Sequence, residues 1–89
     1  MTASHAVDVL LDGGLLTLNR AVGVLRRRNV AVERLAIRPC GDAGVSRMTF
    51  VLTTDAATAD RVVQQFHKIV GVRAVALSAV DDLAKEEQP

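Results

Sequence analysis

Apolar and polar residues alternate along four short stretches of the chain, as they do in β-strands with one buried face. We predict strands at residues 5–11, 30–38, 45–53 and 72–80. Val7, Val9 and Leu11 share one face of the first strand. The second strand changes phase between Val32 and Leu35. Such a slip of one residue predicts a β-bulge or a bend.

Two other segments carry apolar residues three and four positions apart, which is typical of amphipathic helices. The apolar stripe of the first is Leu15, Leu18, Val22 and Leu25. Asn29 is predicted to end this helix in the left-handed conformation. The second helix follows the capping residue types Thr54 and Asp55 and is predicted to end at Gly71. Its apolar positions are Ala59, Val62, Val63, Phe66, Ile69 and Val70.

The resulting order is strand, helix, strand, strand, helix, strand. This order predicts an α+β fold, the ferredoxin-like βαββαβ sandwich, in which two helices cover one face of a four-stranded antiparallel sheet. We expect one domain over residues 5–80 and a charged, disordered tail over residues 81–89. Leu10 and Val51 place apolar side chains on the uncovered face. We therefore expect that face to pack against another subunit.

Composition excludes several classes of protein. The 89 residues include 11 basic and 10 acidic side chains, a balance that argues against a role in gripping nucleic acid or an anionic membrane. Phe50 and Phe66 are the only aromatic residues, so stacking on bases is not expected. No apolar run is long enough to span a bilayer, and the N-terminus lacks the pattern of a signal peptide.

The residue types that carry metal or redox chemistry are sparse. His5 and His67 are far apart in sequence, and we expect no metal site. Cys40 is the only cysteine, which excludes an internal disulfide and fits a reducing, cytoplasmic location. No Ser/His/Asp set or carboxylate pair indicates an active site.

Three blocks resemble one known family. VSRMTFVL at residues 45–52 is similar to the SRMTIVV segment of acetolactate synthase (acetohydroxyacid synthase) small subunits. RRRNVAVERLAIRP at 26–39 and QQFHKIVGVRAV at 64–75 resemble two further family blocks, in the same order. The resemblance implies an ACT domain, in the short single-domain form of the subunit. It implies no catalysis by this chain and no cofactor in it.

The resemblance also implies partners. The family's small subunit activates a large catalytic subunit that carries thiamine diphosphate, Mg²⁺ and FAD, within branched-chain amino-acid biosynthesis. It forms homodimers or higher homo-oligomers, and an effector such as valine binds between two ACT domains. Two alternatives stay open. One is a free-standing ACT module that binds an amino acid or another small effector without this partner. The other is a small enzyme on the same fold, such as an acylphosphatase, although Asn19 and Arg20 are predicted to lie on the helix rather than in the preceding loop.

The family's effector loop, (D/N)-x-P-G-V-L, is degenerate here. The candidate effector-binding residues are Asp12, Gly13, Gly14, Leu15, Leu16 and Ala31. Leu15 and Leu16 stand where the family has Pro-Gly, and Ala31 stands where it has an asparagine that faces the effector. Gly13 and Gly14 replace the turn if the loop is re-registered. We therefore expect weak or absent valine feedback, with activation retained.

A run of three arginines, Arg26, Arg27 and Arg28, ends the first helix. One interpretation is favourable charge at a helix C-terminus. The other is contact with an acidic patch on the catalytic subunit, which makes these three residues candidate partner contacts.

Overall fold

A computed structural model describes residues 2–41 and 44–80. The predicted tail, residues 81–89, lies outside the described residues, so the expectation of disorder there stays a prediction. The predicted order of elements is confirmed. The elements are β1 (Ala3–Asp12), α1 (Leu15–Arg28), β2 (Ala31–Pro39), β3 (Val45–Thr54), α2 (Ala56–His67) and β4 (Val72–Ala79).

The four strands form one antiparallel sheet in the order β2-β3-β1-β4. The central pair is β1 and β3, with Val9 opposite Met48, and β4 adds Val75 opposite Val9 on the other side. Both helices contribute to the same buried cluster as these residues, so both lie on one face of the sheet. The ferredoxin-like fold predicted from the sequence is confirmed.

The core is formed by alternate residues of the central strands and by one face of each helix. On the sheet these are Val7, Val9, Leu11, Met48, Phe50 and Leu52, and on the helices Ala21, Val24, Leu25, Ala59, Val62 and Phe66. The rings of Phe50 and Phe66 lie 5.7 Å apart between centroids, in a tilted arrangement. Among the described residues no polar or charged side chain is buried. Apolar burial therefore holds the helices on the sheet, and backbone hydrogen bonds hold the strands together.

The bulge predicted in the second strand is confirmed. The pairing of β2 with β3 shifts register between Glu33 and Ala36. Arg34 lies inside this interval with a φ of 58°, which is unusual for a residue other than glycine. The bulge lets Val32 pair with Leu52 and Ile37 with Met48, so apolar side chains on both sides of the bulge share the core face.

Two residues that were predicted to lie on the buried stripes of the helices are exposed. Leu15 is 83% exposed and Val70 is 79% exposed. α2 ends at His67, four residues before the predicted end at Gly71. The backbone N–H of Lys68 donates to the carbonyl of Gln65 at 3.1 Å, and further bonds to the third preceding residue follow. These tight turns carry the chain back toward the sheet, which an apolar period of three and four does not reveal.

The two residues predicted to mark helix boundaries, Asn29 and Asp55, are confirmed in that role. Asn29 ends α1 with φ 53° and ψ 41°, which is the left-handed conformation. Asp55 precedes α2, and its carboxylate accepts a hydrogen bond from the backbone N–H of Thr58 at 2.8 Å. Neither helix of the described residues is long and apolar enough to cross a membrane.

The Asp55 cap predicts a pH dependence of folding stability. Hydrogen bonds from the side chain and then the backbone of Thr58 hold the pKa of the Asp55 carboxyl below its ordinary value. A lowered pKa in the folded state stabilises the fold above the unfolded-state value, near pH 4, and this contribution is lost as the pH falls through the folded-state value. Asp55→Asn keeps a capping acceptor but does not titrate.

We expect the urea midpoint of the native chain to fall more steeply below about pH 4 than that of the Asp55→Asn variant. Urea unfolding curves between neutral pH and pH 3, followed by circular dichroism, measure the difference. Parallel pH profiles of the two proteins would contradict the assignment.

Candidate effector site

Three loops meet at one end of the sheet and define the candidate effector site. The backbone N–H of Asp12 donates to the carbonyl of Gly71 at 2.8 Å, which joins the β1–α1 loop to the α2–β4 loop. The N–H of Gly13 donates to the carbonyl of Gly44 at 2.8 Å, which joins it to the β2–β3 hairpin. Five of the six residues predicted from the sequence, Asp12 to Leu16, lie in this junction.

Helix α1 begins at this junction with an open N-terminus. Gly14 is the residue before the helix and has no side chain to cap it. The first backbone bond runs from the N–H of Leu18 to the carbonyl of Gly14, at 3.1 Å. Within the described residues the N–H groups of Leu15, Leu16 and Thr17 have no acceptor. Such a terminus suits a carboxylate, because its N–H groups and its dipole both favour negative charge.

Leu15 and Leu16 surround that terminus with apolar side chains. They are 83% and 64% exposed, so neither belongs to the core. In the first turn of a helix they stand beside the N–H groups that a carboxylate would approach. Side chains of this size add bulk at the candidate effector loop.

An ion pair that the sequence analysis missed lies beside the loop. Arg73 donates from Nε and from Nη2 to Oδ1 of Asp12, each at 3.0 Å. Both side chains are about half exposed, so the pair stabilises the fold little. Its importance is local, because it neutralises the carboxylate next to the open helix terminus. The sequence shows both residues, but only the pairing of β1 with β4 brings them together.

Ala31 lies at the other end of the sheet. It pairs with Thr53, whereas Asp12 pairs with Val45, eight residues away on the same strand. At about 3.4 Å a residue, the two ends are about 27 Å apart. One chain therefore does not bring Ala31 to the effector loop.

The arginine run at the end of α1 is exposed, and its members diverge. Arg27 lines a groove of about 290 Å³ between the two helices, together with Arg20 and Lys68. Arg26 and Arg28 do not line that groove. Among the described residues no cluster of His, Cys, Asp or Glu has the arrangement of a metal site.

Glycine is required at one position of the loop junction and is replaceable at another. Gly71 has a φ of +103°, and a Cβ there would lie 3.0 Å from Thr17 side-chain atoms and 3.2 Å from Oδ2 of Asp12. Gly14 has an ordinary φ of −66° and nothing within 4 Å of a Cβ.

We expect Gly71→Ala to lower the free energy of unfolding by about 1–3 kcal/mol, because it adds backbone strain to a close contact. Gly14→Ala is the matched control and is expected to lower it by less than about 1 kcal/mol, because alanine is a poorer N-cap residue than glycine. Urea denaturation of both variants tests this, and equal effects would show that the junction does not need glycine at Gly71.

Comparison with known proteins agrees with the fold. Residues 17–74 match the family model described as the AHAS small subunit-like ACT domain. The acetolactate synthase small subunit of Haemophilus influenzae is 33% identical over 81 residues, which are 90% of this chain and 50% of that protein. The chain thus spans about half the length of this curated relative.

Solved structures give the same fold. The ACT domain of the GTP pyrophosphokinase of Chlorobium tepidum superposes with a TM-score of 0.78 at 10% identity, over 88% of this chain and all of that one. The acetolactate synthase small subunit of Thermotoga maritima superposes with a TM-score of 0.75 at 20% identity, over 83% of this chain and 46% of that one. Because the family model matches residues 17–74, which are more than half of the chain, the chain belongs to the family of ACT domains that resemble the one in the acetohydroxyacid synthase (AHAS) small subunit.

Proposed function

We propose that this chain is a non-catalytic regulatory subunit of acetolactate synthase, acting in the cytoplasm in branched-chain amino-acid biosynthesis. The observation that carries the proposal is the family match over residues 17–74, which includes α1 from Thr17 onward, the hairpin and α2. Its partner is the large catalytic subunit. Thiamine diphosphate, Mg²⁺ and FAD belong to that partner in this proposal, and none to this chain.

Activation by such a subunit has a simple thermodynamic requirement. A bound protein raises the activity of its partner only when it binds the active conformation more tightly than the inactive one. The chain therefore needs a docking surface for the catalytic subunit, but it needs no reactive group of its own.

The proposal includes a homodimer. The sheet face opposite the helices carries a hollow of about 430 Å³, whose lining includes Ala6, Val51 and Ala76. Small side chains there let another backbone approach closely. Leu35 and Ile37 are exposed on β2, which is an edge strand of the sheet. Both features support self-association, either through the open face or through the strand edge. A second copy is also what would bring Ala31 to the effector loop.

Reconstitution tests the proposed function. We expect the purified chain to bind a cognate large subunit and to raise acetolactate formation several-fold. Light scattering on the free chain, expected at twice the monomer mass, measures the dimer in the same preparation. A chain that neither binds nor stimulates the large subunit would leave the free-standing ACT module as the better interpretation.

The effector loop predicts a weak or absent valine response. The open N-terminus of α1 offers N–H groups, but Leu15 and Leu16 crowd it, and Ala31 offers no side-chain amide. We expect calorimetric titration of the native chain with valine, leucine and isoleucine to show no binding in the micromolar range.

The matched control restores the Pro-Gly pair and the asparagine of the family pattern with Leu15→Pro, Leu16→Gly and Ala31→Asn together. Proline is tolerated at the first position of a helix, so this variant is expected to fold. It is expected to bind one of the three amino acids more tightly than the native chain does. Micromolar binding by the native chain would refute the interpretation.

A further inference from the structure

Three positively charged side chains converge in the groove between α1 and α2. They are Arg20 and Arg27 from α1 and Lys68 from the residue that ends α2. The apolar part of the lining is Val24, Ile69 and Val70. We call these six residues the basic groove.

The three cations have no counter-charge among the described residues. Arg20, Arg27 and Lys68 are exposed, and none forms an ion pair within the parts of the chain that the structure describes. By contrast, Arg47 and Arg73 pair with Asp8 and Asp12. Three unpaired like charges around one hollow repel each other, and an anionic occupant would remove this repulsion.

Helix geometry brings the two arginines into one groove. Arg20 and Arg27 are seven residues apart, which is about two turns, so they share a face of α1 about 10.5 Å apart along its axis. A Cβ on Gly23 would lie 3.2 Å from Nη1 of Arg27, so the guanidinium lies back over Gly23 toward Arg20. This position separates Arg27 from Arg26 and Arg28, its neighbours in sequence.

The groove also has an apolar part, and this part indicates which kind of anionic partner fits it. Val24 is buried, Ile69 is half-buried and Val70 is 79% exposed beside the cations. An inorganic anion or a nucleic-acid backbone would leave the exposed Val70 side chain in water. A protein segment with both carboxylates and an apolar side chain would neutralise the charges and cover this residue.

We propose that the basic groove is the docking site for an acidic amphipathic helix of the catalytic subunit. The carboxylates of that helix lie about two turns apart, to match Arg20 and Arg27. Between them an apolar side chain contacts Val70 and Ile69. This inference rests on the proposed function and names the surface through which the regulatory subunit binds its partner.

The test compares two pairs of arginines on the same helix. Arg20→Ala with Arg27→Ala empties the groove of two charges. Arg26→Ala with Arg28→Ala removes the same charge outside it. All four side chains are exposed, so thermal unfolding is expected to be unchanged in both variants.

Affinity for the full catalytic subunit is measured by calorimetry at low and high salt. The groove variant is expected to raise Kd about tenfold or more and to flatten its salt dependence, and the control to change Kd less than about threefold. Val70→Ser is expected to weaken binding while the salt dependence is kept, because it removes an apolar contact and no charge.

Each outcome of this binding test supports or overturns the basic groove as the docking site. If the native chain binds and stimulates the catalytic subunit but the groove variant binds equally well, the docking site is elsewhere and the proposed function stands. Equal losses in the two arginine pairs would show that diffuse charge, rather than the groove, drives binding. Tighter binding to a duplex oligonucleotide than to the catalytic subunit, lost in the groove variant, would overturn the proposal in favour of nucleic acid.

If the native chain does not bind the catalytic subunit, the proposed function fails, and the groove is tested by itself. The probe is a synthetic helical peptide with glutamates two turns apart and leucine between them. Amide shifts in a nuclear magnetic resonance titration are expected at the groove residues and not at Arg26 or Arg28. Their absence would overturn the groove as an acidic-peptide site.

Discussion

The structure depends on burying one face of a four-stranded sheet beneath two helices. The central strands β1 and β3 give every second side chain to that face, and Phe50 meets Phe66 of α2 at its centre. The other set of side chains on the same strands remains outside. With an entirely apolar core in the described residues, specificity comes from packing and strand register rather than from buried polar contacts.

This arrangement determines where function can be located. The β1–α1 loop, the hairpin and the α2–β4 loop are tied together at one end of the sheet through Asp12, Gly13, Gly44 and Gly71. The uncovered sheet face and the strand edges are available to a second copy. The helices present the basic groove on the remaining side. The candidate effector loop, the proposed pairing surfaces and the proposed docking surface are therefore different parts of one small domain.

Helix α1 connects two of these parts. Thr17, in its first turn, lies against the Gly71 position at the loop junction, and Arg20, less than a turn later, lines the basic groove. A rigid helix transmits small displacements along its length, because its packed side chains have few alternative arrangements. In the proposed regulatory subunit, a single element thus joins the candidate effector loop to the proposed docking surface.

Much of this fold was readable from local patterns. Alternation placed Val7, Val9 and Leu11 on the buried face, and the change of phase after Val32 predicted the bulge. Asn29 and Asp55 marked the helix boundaries through their own conformational and hydrogen-bonding chemistry. The helical pattern misassigned two residues to the core. Leu15 lies in α1 but is exposed, and Val70 is exposed because it lies beyond the end of α2.

The sequence by itself determined the order of the elements, most of the core and the loop in which the candidate effector site lies. These features depend on periodicity and on residue-specific backbone preferences, which act over a few neighbouring positions. Only the tertiary structure decided that Arg73 reaches Asp12 and that Ala31 is at the opposite end of the sheet. It also separated Arg27 from its sequence neighbours and joined it to Lys68. Such proximities follow from strand register and from how two helices dock, and both are set by long-range packing that no local pattern records.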